Sequence, residues 1–299
     1  MVVSEEKKTK TAVPASPRIF WFFNLRKEGM GGKMVIIGIS VVVFIILMTL
    51  LAPVIAPHNP EQINSGYVSV PPSSRFLFGT NQLGQDILSR IMFGSTTMLE
   101  VGILSVILCI MIGVPIGLSA GYVSGIPDRL ASLVMDSIYA FPGLVLAIAI
   151  SAVLGTGVVN LAIAISVVYI PSYFRVVRSQ VLSIKQQPFV EAVRVAGGRT
   201  FNILFRQILP NVIPSIAVIA SINVADAILT EAGLTYLGLG PNVSFPDWGW
   251  DIYNGKNLLL SGAWWAWVFP GIMIVLLAAG FAFIGEGLSE IWNPRLKNR

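Results

Sequence analysis

SIYAFPGLVLAIAISAVLGTGVVNLAIAISVVYIPSYF, residues 137–174, contains no Asp, Glu, Lys or Arg. As one helix it would be about 57 Å long, nearly twice the hydrocarbon thickness of a bilayer. Gly155-Thr156-Gly157 stands at its middle and reads as the turn of a helical hairpin. The stretch is therefore two membrane spans. Residues 34–56, 101–127, 207–225 and 257–285 are also free of acidic and basic side chains. Together they predict six spans, at about 34–56, 97–121, 131–154, 158–176, 211–233 and 264–286.

Composition agrees. The chain has 299 residues, 55% hydrophobic and 12% charged, where a soluble domain carries about a quarter charged. The fold class is all-α, a polytopic membrane protein. A β-barrel would instead alternate over segments of about ten residues. The first span is read as a retained anchor, because its uncharged run exceeds the roughly 7–15 residues of a signal-peptide core.

The net charge of +5 follows from topology and needs no nucleic-acid partner. Segments 1–33, 122–130, 177–210 (with Arg175 at the membrane edge) and 287–299 carry 17 of the 20 Lys and Arg; only Arg75, Arg90 and Lys256 fall elsewhere. By the positive-inside rule both termini are cytoplasmic in a cell-membrane protein surrounded by lipid. The chain then divides into a basic tail at 1–33, an anchor helix at 34–56 and an outer loop at 57–96. A five-helix core follows at 97–286, with an inner segment at 177–210, before a short tail at 287–299.

Several chemistries are excluded. One histidine, His58, and one cysteine, Cys109, cannot make a metal cluster or a Cys/His nucleophile pair. Gly32-Lys33 lacks the earlier glycine and the following Ser/Thr of a P-loop. Gly238-Leu239-Gly240 follows no strand, so it is no dinucleotide site. We expect no catalytic residue, no metal and no cofactor on this chain: it is not an enzyme. Asn242-Val243-Ser244 is a glycosylation sequon in an outer loop.

The polar residues within spans carry more information. Ser215, Asn223, Asp226 and Thr230 share one face of span five at 3.6 residues per turn. A mid-span Asp costs about 2.5–3.5 kcal/mol on insertion scales, so Asp226 faces protein or water. The face is either a translocation lining or an interhelical hydrogen-bond seam. Glu100, Asp136, Glu231 and Glu286 fall near span ends, where the interface can solvate them. In the outer loop, residues 79–94 read as a helix with an Asp86–Arg90 pair at i,i+4. Gly113, Gly117 and Gly121 in span two allow close helix approach, within the chain or against a partner. Pro115, Pro142, Pro171, Pro214 and Pro270 bend helices where neighbours satisfy the freed carbonyls.

Residues 188–210 form an amphipathic knob ahead of span five. Pro188 suits a first helical turn and Gly197-Gly198 a helix end. Phe189, Ala192, Val193 and Ala196 share one face of this short helix. Phe201, Leu204, Phe205, Ile208 and Leu209 follow at i, i+3, i+4, i+7 and i+8, a second apolar face. Physics alone leaves two readings, a membrane-surface helix or a docking element.

This stretch resembles the cytoplasmic Glu-Ala-Ala-x3-Gly signature of ABC importer permeases, which carries a later Leu-Pro. Glu191, Ala192, Gly197, Leu209 and Pro210 match in register. Val193 replaces the second alanine, and Gln207 stands where many members have Ile. FGTNQLGQDILSRIMFG (78–94), AGYVSGIPDRLASLVMDSIYAFPG (120–143) and EAGLTYLGLG (231–240) resemble the dipeptide/oligopeptide C-type permeases of that family. Asn81 and Gln85 depart from the pattern.

The resemblance covers about residues 30–290 and implies a type I importer permease fold. It implies a second homologous permease chain, two cytoplasmic ATPases that hold ATP and Mg, and an extracytoplasmic substrate-binding protein. Glu191, Ala192, Gly197, Phe201, Phe205 and Pro210 would then couple to an ATPase. Ser215, Asn223, Asp226 and Thr230 would line the pathway. The cargo implied is a peptide or similar small solute, with oligosaccharides and metal complexes as alternatives. A proton-coupled transporter, which Asp226 could serve, usually shows internal repeats, and none is visible. The polar face on span five disfavours a non-transport scaffold.

Overall fold

Gly155 (φ +79°) and Gly157 (φ +134°) close a tight turn between α4 (Gly143–Leu154) and α5 (Val158–Ile184). Asn160 Nδ2 donates to the Leu154 carbonyl at 2.8 Å and so satisfies the end of α4. The hairpin expected from the opening stretch is present in the computed structural model, which describes residues 29–63, 65–241 and 245–292. The sequon at Asn242 lies outside these residues.

Among the described residues, five helices are long and apolar enough to cross a membrane. They are α1 (Gly29–Ile55), α2 (Ile87–Val123), α5, the continuous helix Thr200–Tyr236 that includes α8 (Leu209–Tyr236), and α10 (Trp265–Trp292). The third expected span is broken. α3 (Ile126–Tyr139) and α4 meet at 89°, because Pro142 occupies the N-cap of α4 and disfavours helix in the residue before it. The prolines inside α1, α2, α5, α8 and α10 do not break their helices. No strand occurs among the described residues.

The outer helix and span two are one helix of 37 residues. Nothing between Ile87 and Thr97 stops it: Gly94 is an interior residue, and a Cβ there would lie 2.7 Å from Trp248. Asp86 does not pair with Arg90. It caps α2, with its carboxylate accepting from Ser89 N–H at 3.0 Å and Ser89 O–H at 2.6 Å.

The spans approach through glycine. Gly113, Gly117 and Gly121 lie against α5; Cβ atoms there would sit 2.8 Å from Tyr173 Cβ, 2.9 Å from the Phe174 carbonyl and 2.8 Å from Val181 Cβ. This stripe packs within the chain. A second crossing, not foreseen, joins α1 to α10: a Cβ on Gly38 would collide with the Gly280 carbonyl, and one on Gly287 would lie 2.6 Å from the Gly31 carbonyl. The signal was the shared seven-residue spacing, 31/38 and 280/287.

α3 is tied to α5 by charge. Arg178 donates to both oxygens of Asp128, with Nη2 at 2.7 Å from Oδ2. Arg175 bonds Asp136 at 2.7 Å, so Asp136 has a specific partner rather than interfacial water alone. Val218 of α8 packs with Val35, Leu288 and Ile291. The start of α1, the end of α10 and the first half of α8 therefore share one end of the bundle with the 188–208 knob.

Gly117→Leu should overpack the α2–α5 seam and lower stability by about 1–3 kcal/mol. Met111→Leu, on the exposed side of α2, should change little. Thermal unfolding of the purified assembly distinguishes them; equal melting temperatures would show that the seam tolerates a side chain.

Candidate functional site

α6 (Pro188–Val195) begins with Pro188 in its first turn and ends in a double hydrogen-bonded cap. Gly198 N–H donates to the Val193 carbonyl at 2.9 Å and Gly197 N–H to the Arg194 carbonyl at 3.1 Å, the paired closure of a Schellman motif. Gly197 has φ +81° and open space around a would-be Cβ. A side chain there would strain the backbone and nothing else.

The chain then re-enters helix through α7 (Thr200–Asn202) and a π-turn, Ile203–Ile208, directly into α8. The turn has a local cause. Pro210 has no N–H, so the ordinary ladder fails there; Leu209 N–H reaches back to Leu204, and Asn211 Nδ2 takes the Gln207 carbonyl at 2.7 Å. The π-turn adds a residue and shifts the period. Ile203 and Ile208 are buried, whereas Phe201 is 67% and Phe205 43% exposed.

Of the named knob residues, Glu191, Ala192, Gly197, Phe201 and Phe205 are all exposed. Pro210 is half-buried at the base of α8, where it shapes the helix. Phe201 and Phe205 rings lie 4.4 Å apart. Phe189 (40%) and Val195 (83%) are uncovered too. Val190 is fully buried and joins the same core as Ile203, Ile208 and Val212. The knob is thus a rigid, well-anchored element with an unpartnered aromatic surface.

The polar face of α8 is half-open. Thr230 and Tyr169 of α5 share a hydrogen bond at 3.0 Å, and Thr230 O–H also lies 2.8 Å from the Asp226 carbonyl. Asn223 is buried beside Tyr173, and neither Asn223 Nδ2 nor the Tyr173 hydroxyl completes a well-formed hydrogen bond among the described residues. Ser215 and Asp226 are half-buried. The Asp226 carboxylate has no ion pair among the described residues. Part of the face is therefore a seam to α5, and part is uncommitted polarity beside Asp226.

At the other end, sequence reading missed a buried polar cluster. Arg90 Nε donates to Asp251 at 2.7 Å, both side chains being buried. Asp251 belongs to α9 (Trp248–Lys256). Burial pushes its carboxyl up while the Arg90 guanidinium pulls it back. Trp248 is fully buried and its indole N–H donates to the Ile91 carbonyl at 3.0 Å. Glu231, expected at a solvated span end, is fully buried against this cluster. The α9 segment folds back over the end of α8, a tertiary event that span-by-span reading does not contain. Glu100, by contrast, is exposed.

Comparisons with known proteins bear on the whole chain. Residues 113–298 match the family described as "Binding-protein-dependent transport system inner membrane component". Residues 32–72 match "N-terminal TM domain of oligopeptide transport permease C". The chain is 36% identical to the dipeptide transport system permease protein DppC of Alkalihalophilus pseudofirmus, over 91% of this chain and 89% of the relative. It is 34% identical to the glutathione transport system permease protein GsiD of Pectobacterium atrosepticum, over 94% and 92%. It is also 34% identical to a probable D,D-dipeptide transport system permease protein, DdpC of Escherichia coli, over 89% of each. In fold it is similar to a chain of the inward-facing MetNI methionine ABC transporter. The TM-score is 0.56 at 18% identity, covering 68% of this chain and 97% of that one.

Proposed function

The chain belongs to the family of binding-protein-dependent transport system inner membrane components, and from that premise we propose that it forms half of the translocation pathway of an ATP-driven importer. A second, homologous permease chain supplies the other half. Two cytoplasmic ATPases bind ATP and Mg, and an extracytoplasmic protein delivers the substrate. Membership of the family sets aside the proton-coupled transporter and the scaffold. Relatives named for dipeptide, D,D-dipeptide and glutathione transport support a short peptide or peptide-like solute as cargo.

The single observation that carries the reading is the exposed aromatic surface of the knob. Phe201 and Phe205 stand uncovered on an element whose other side is fixed in the core by Val190, Ile203 and Ile208. A membrane-surface helix would not need that anchoring, whereas a docking element must be rigid to pass on a push. The π-turn leads without a break into α8, so displacement of the knob reaches the Asn223–Thr230 face along one rod. The Lys and Arg described at this end, from Lys33 of α1 and Arg129 of α3 to Arg178, Lys185, Arg194 and Arg206, support placing the knob in the cytoplasm.

Gly197→Val should strain the turn and misdirect the aromatic pair while leaving the spans intact. In reconstituted vesicles with normal subunit stoichiometry, substrate-loaded binding protein should no longer stimulate ATP hydrolysis, and uptake should fall with it. Full stimulation and uptake would make the knob a membrane-surface helix.

The Asp226 side of α8 is assigned to the pathway because an unpaired carboxylate in mid-span needs water or a polar ligand beside it. Asp226→Asn should assemble normally and alter uptake; Asp226→Leu should impair both. Wild-type uptake by Asp226→Leu would remove this face from the pathway.

A further inference from the structure

Two carboxyl groups meet out of solvent where α9 folds over the end of α8. Glu231 is fully buried and Asp247 is 2% exposed. Each has one oxygen satisfied: Thr235 O–H donates to Glu231 Oε1 at 3.0 Å, and Trp250 N–H donates to Asp247 Oδ1 at 2.9 Å. The remaining oxygens, Glu231 Oε2 and Asp247 Oδ2, are buried and find no hydrogen-bond donor among the described residues. The two groups lie within hydrogen-bond reach of each other.

Among the described residues, no cation relieves them. Arg90 spends its guanidinium on Asp251 and on the Pro60 carbonyl at 3.1 Å. Asp251 faces Asp247 and adds negative potential. Lys256 lies over the Tyr236 and Tyr253 rings, and His58 sits 3.6 Å from Asp86. A metal ion does not fit either. No trio of ligating side chains occurs among the described residues. The backbone is also packed tight: a Cβ on Gly249 would lie 2.9 Å from the Ala232 carbonyl, and one on Gly240 2.5 Å from Thr235.

Ionised carboxylates only accept hydrogen bonds, and two of them sharing a dry site cannot both stay charged. One proton resolves both problems. We propose that Glu231 and Asp247 bind a single proton between them at neutral pH, and that this acid–carboxylate hydrogen bond latches the Asp247–Lys256 segment onto α8. Burial also pushes the Asp247 carboxyl up. The proton comes from solvent as the segment docks and returns to solvent when it lifts.

The sign of the pH dependence follows. The folded pair holds a proton that the unfolded carboxyls have released at neutral pH. The latch is therefore complete at low pH and is lost as pH rises through the folded pair's titration. The site is distinct from the Asp226 face and independent of the cargo.

Infrared spectroscopy of the full transporter in lipid vesicles tests this. Wild type should show the carbonyl band of a protonated carboxylic acid at neutral pH, slow to exchange in deuterium oxide and fading under alkali. Glu231→Gln should lose the band yet keep assembly, because its amide can donate to Asp247, and its melting temperature should no longer fall at high pH. Asp247→Asn should shift or abolish the band, and Asp226→Asn should leave it in place. A wild-type spectrum without the band overturns the proposal. So does a band unchanged in Glu231→Gln or in Asp247→Asn.

Discussion

The close contact of α2 with α5 carries the rest of the structure. Within lipid there is no hydrophobic drive for one helix to prefer another over solvent, so association depends on packing and polar contacts. Gly113, Gly117 and Gly121 let the α2 backbone settle against Tyr173, Phe174, Val177 and Val181. Everything at the knob end hangs from that seam. Arg178 and Arg175 of α5 hold α3 by Asp128 and Asp136. Lys185, at the end of α5, donates to the Gly121 carbonyl at 2.7 Å and to Ser124 Oγ at 2.6 Å, closing the carbonyl end of α2. A cation there also suits the helix dipole. α6 starts three residues later, so its position is set by the seam.

α8 connects the two ends. It emerges from the knob through a π-turn, carries the Asn223–Thr230 face beside Tyr169, and ends under α9 at Glu231 and Thr235. Both of its ends are clamped by buried contacts, Ile203 and Ile208 at one and the carboxyl pair at the other. Its middle packs through Val224, Ala225, Ala227 and Ile228, yet on its polar face Asp226 is half-buried and Asn223 Nδ2 has no acceptor among the described residues. A rod packed along its apolar side, with a polar face left uncommitted, suits an element that moves against a partner.

Much of this was legible because periodicity and punctuation are local. The charge-free runs located the spans, Gly155-Thr156-Gly157 marked the hairpin, and the Gly197 turn has the positive φ expected of it. The glycine stripe of α2 was readable as a close contact, though not its partner. What escaped was tertiary. Arg90 passes over its neighbour Asp86 for Asp251, a choice set by the folding back of α9. Glu231 is sealed by that same segment. The α-helical period put Phe201, Phe205 and Ile208 on one face, but the π-turn before Pro210 buries Ile208 with Ile203 and leaves the two phenylalanines exposed, because helix arithmetic assumes an unbroken ladder. The right-angle break at Pro142 was foreseeable as a bend, but its size depends on the Arg–Asp ties that hold α3 along α5.

The central claim is that the Phe201–Phe205 surface is seated on a cytoplasmic ATPase. A photo-activatable side chain at Phe201, in the intact transporter within its native membrane, reads this contact directly. The account predicts a single cross-link to the ATPase, one that weakens or moves when ATP is bound and hydrolysed. Cross-linking to lipid alone, or to a protein on the extracytoplasmic side, would contradict it.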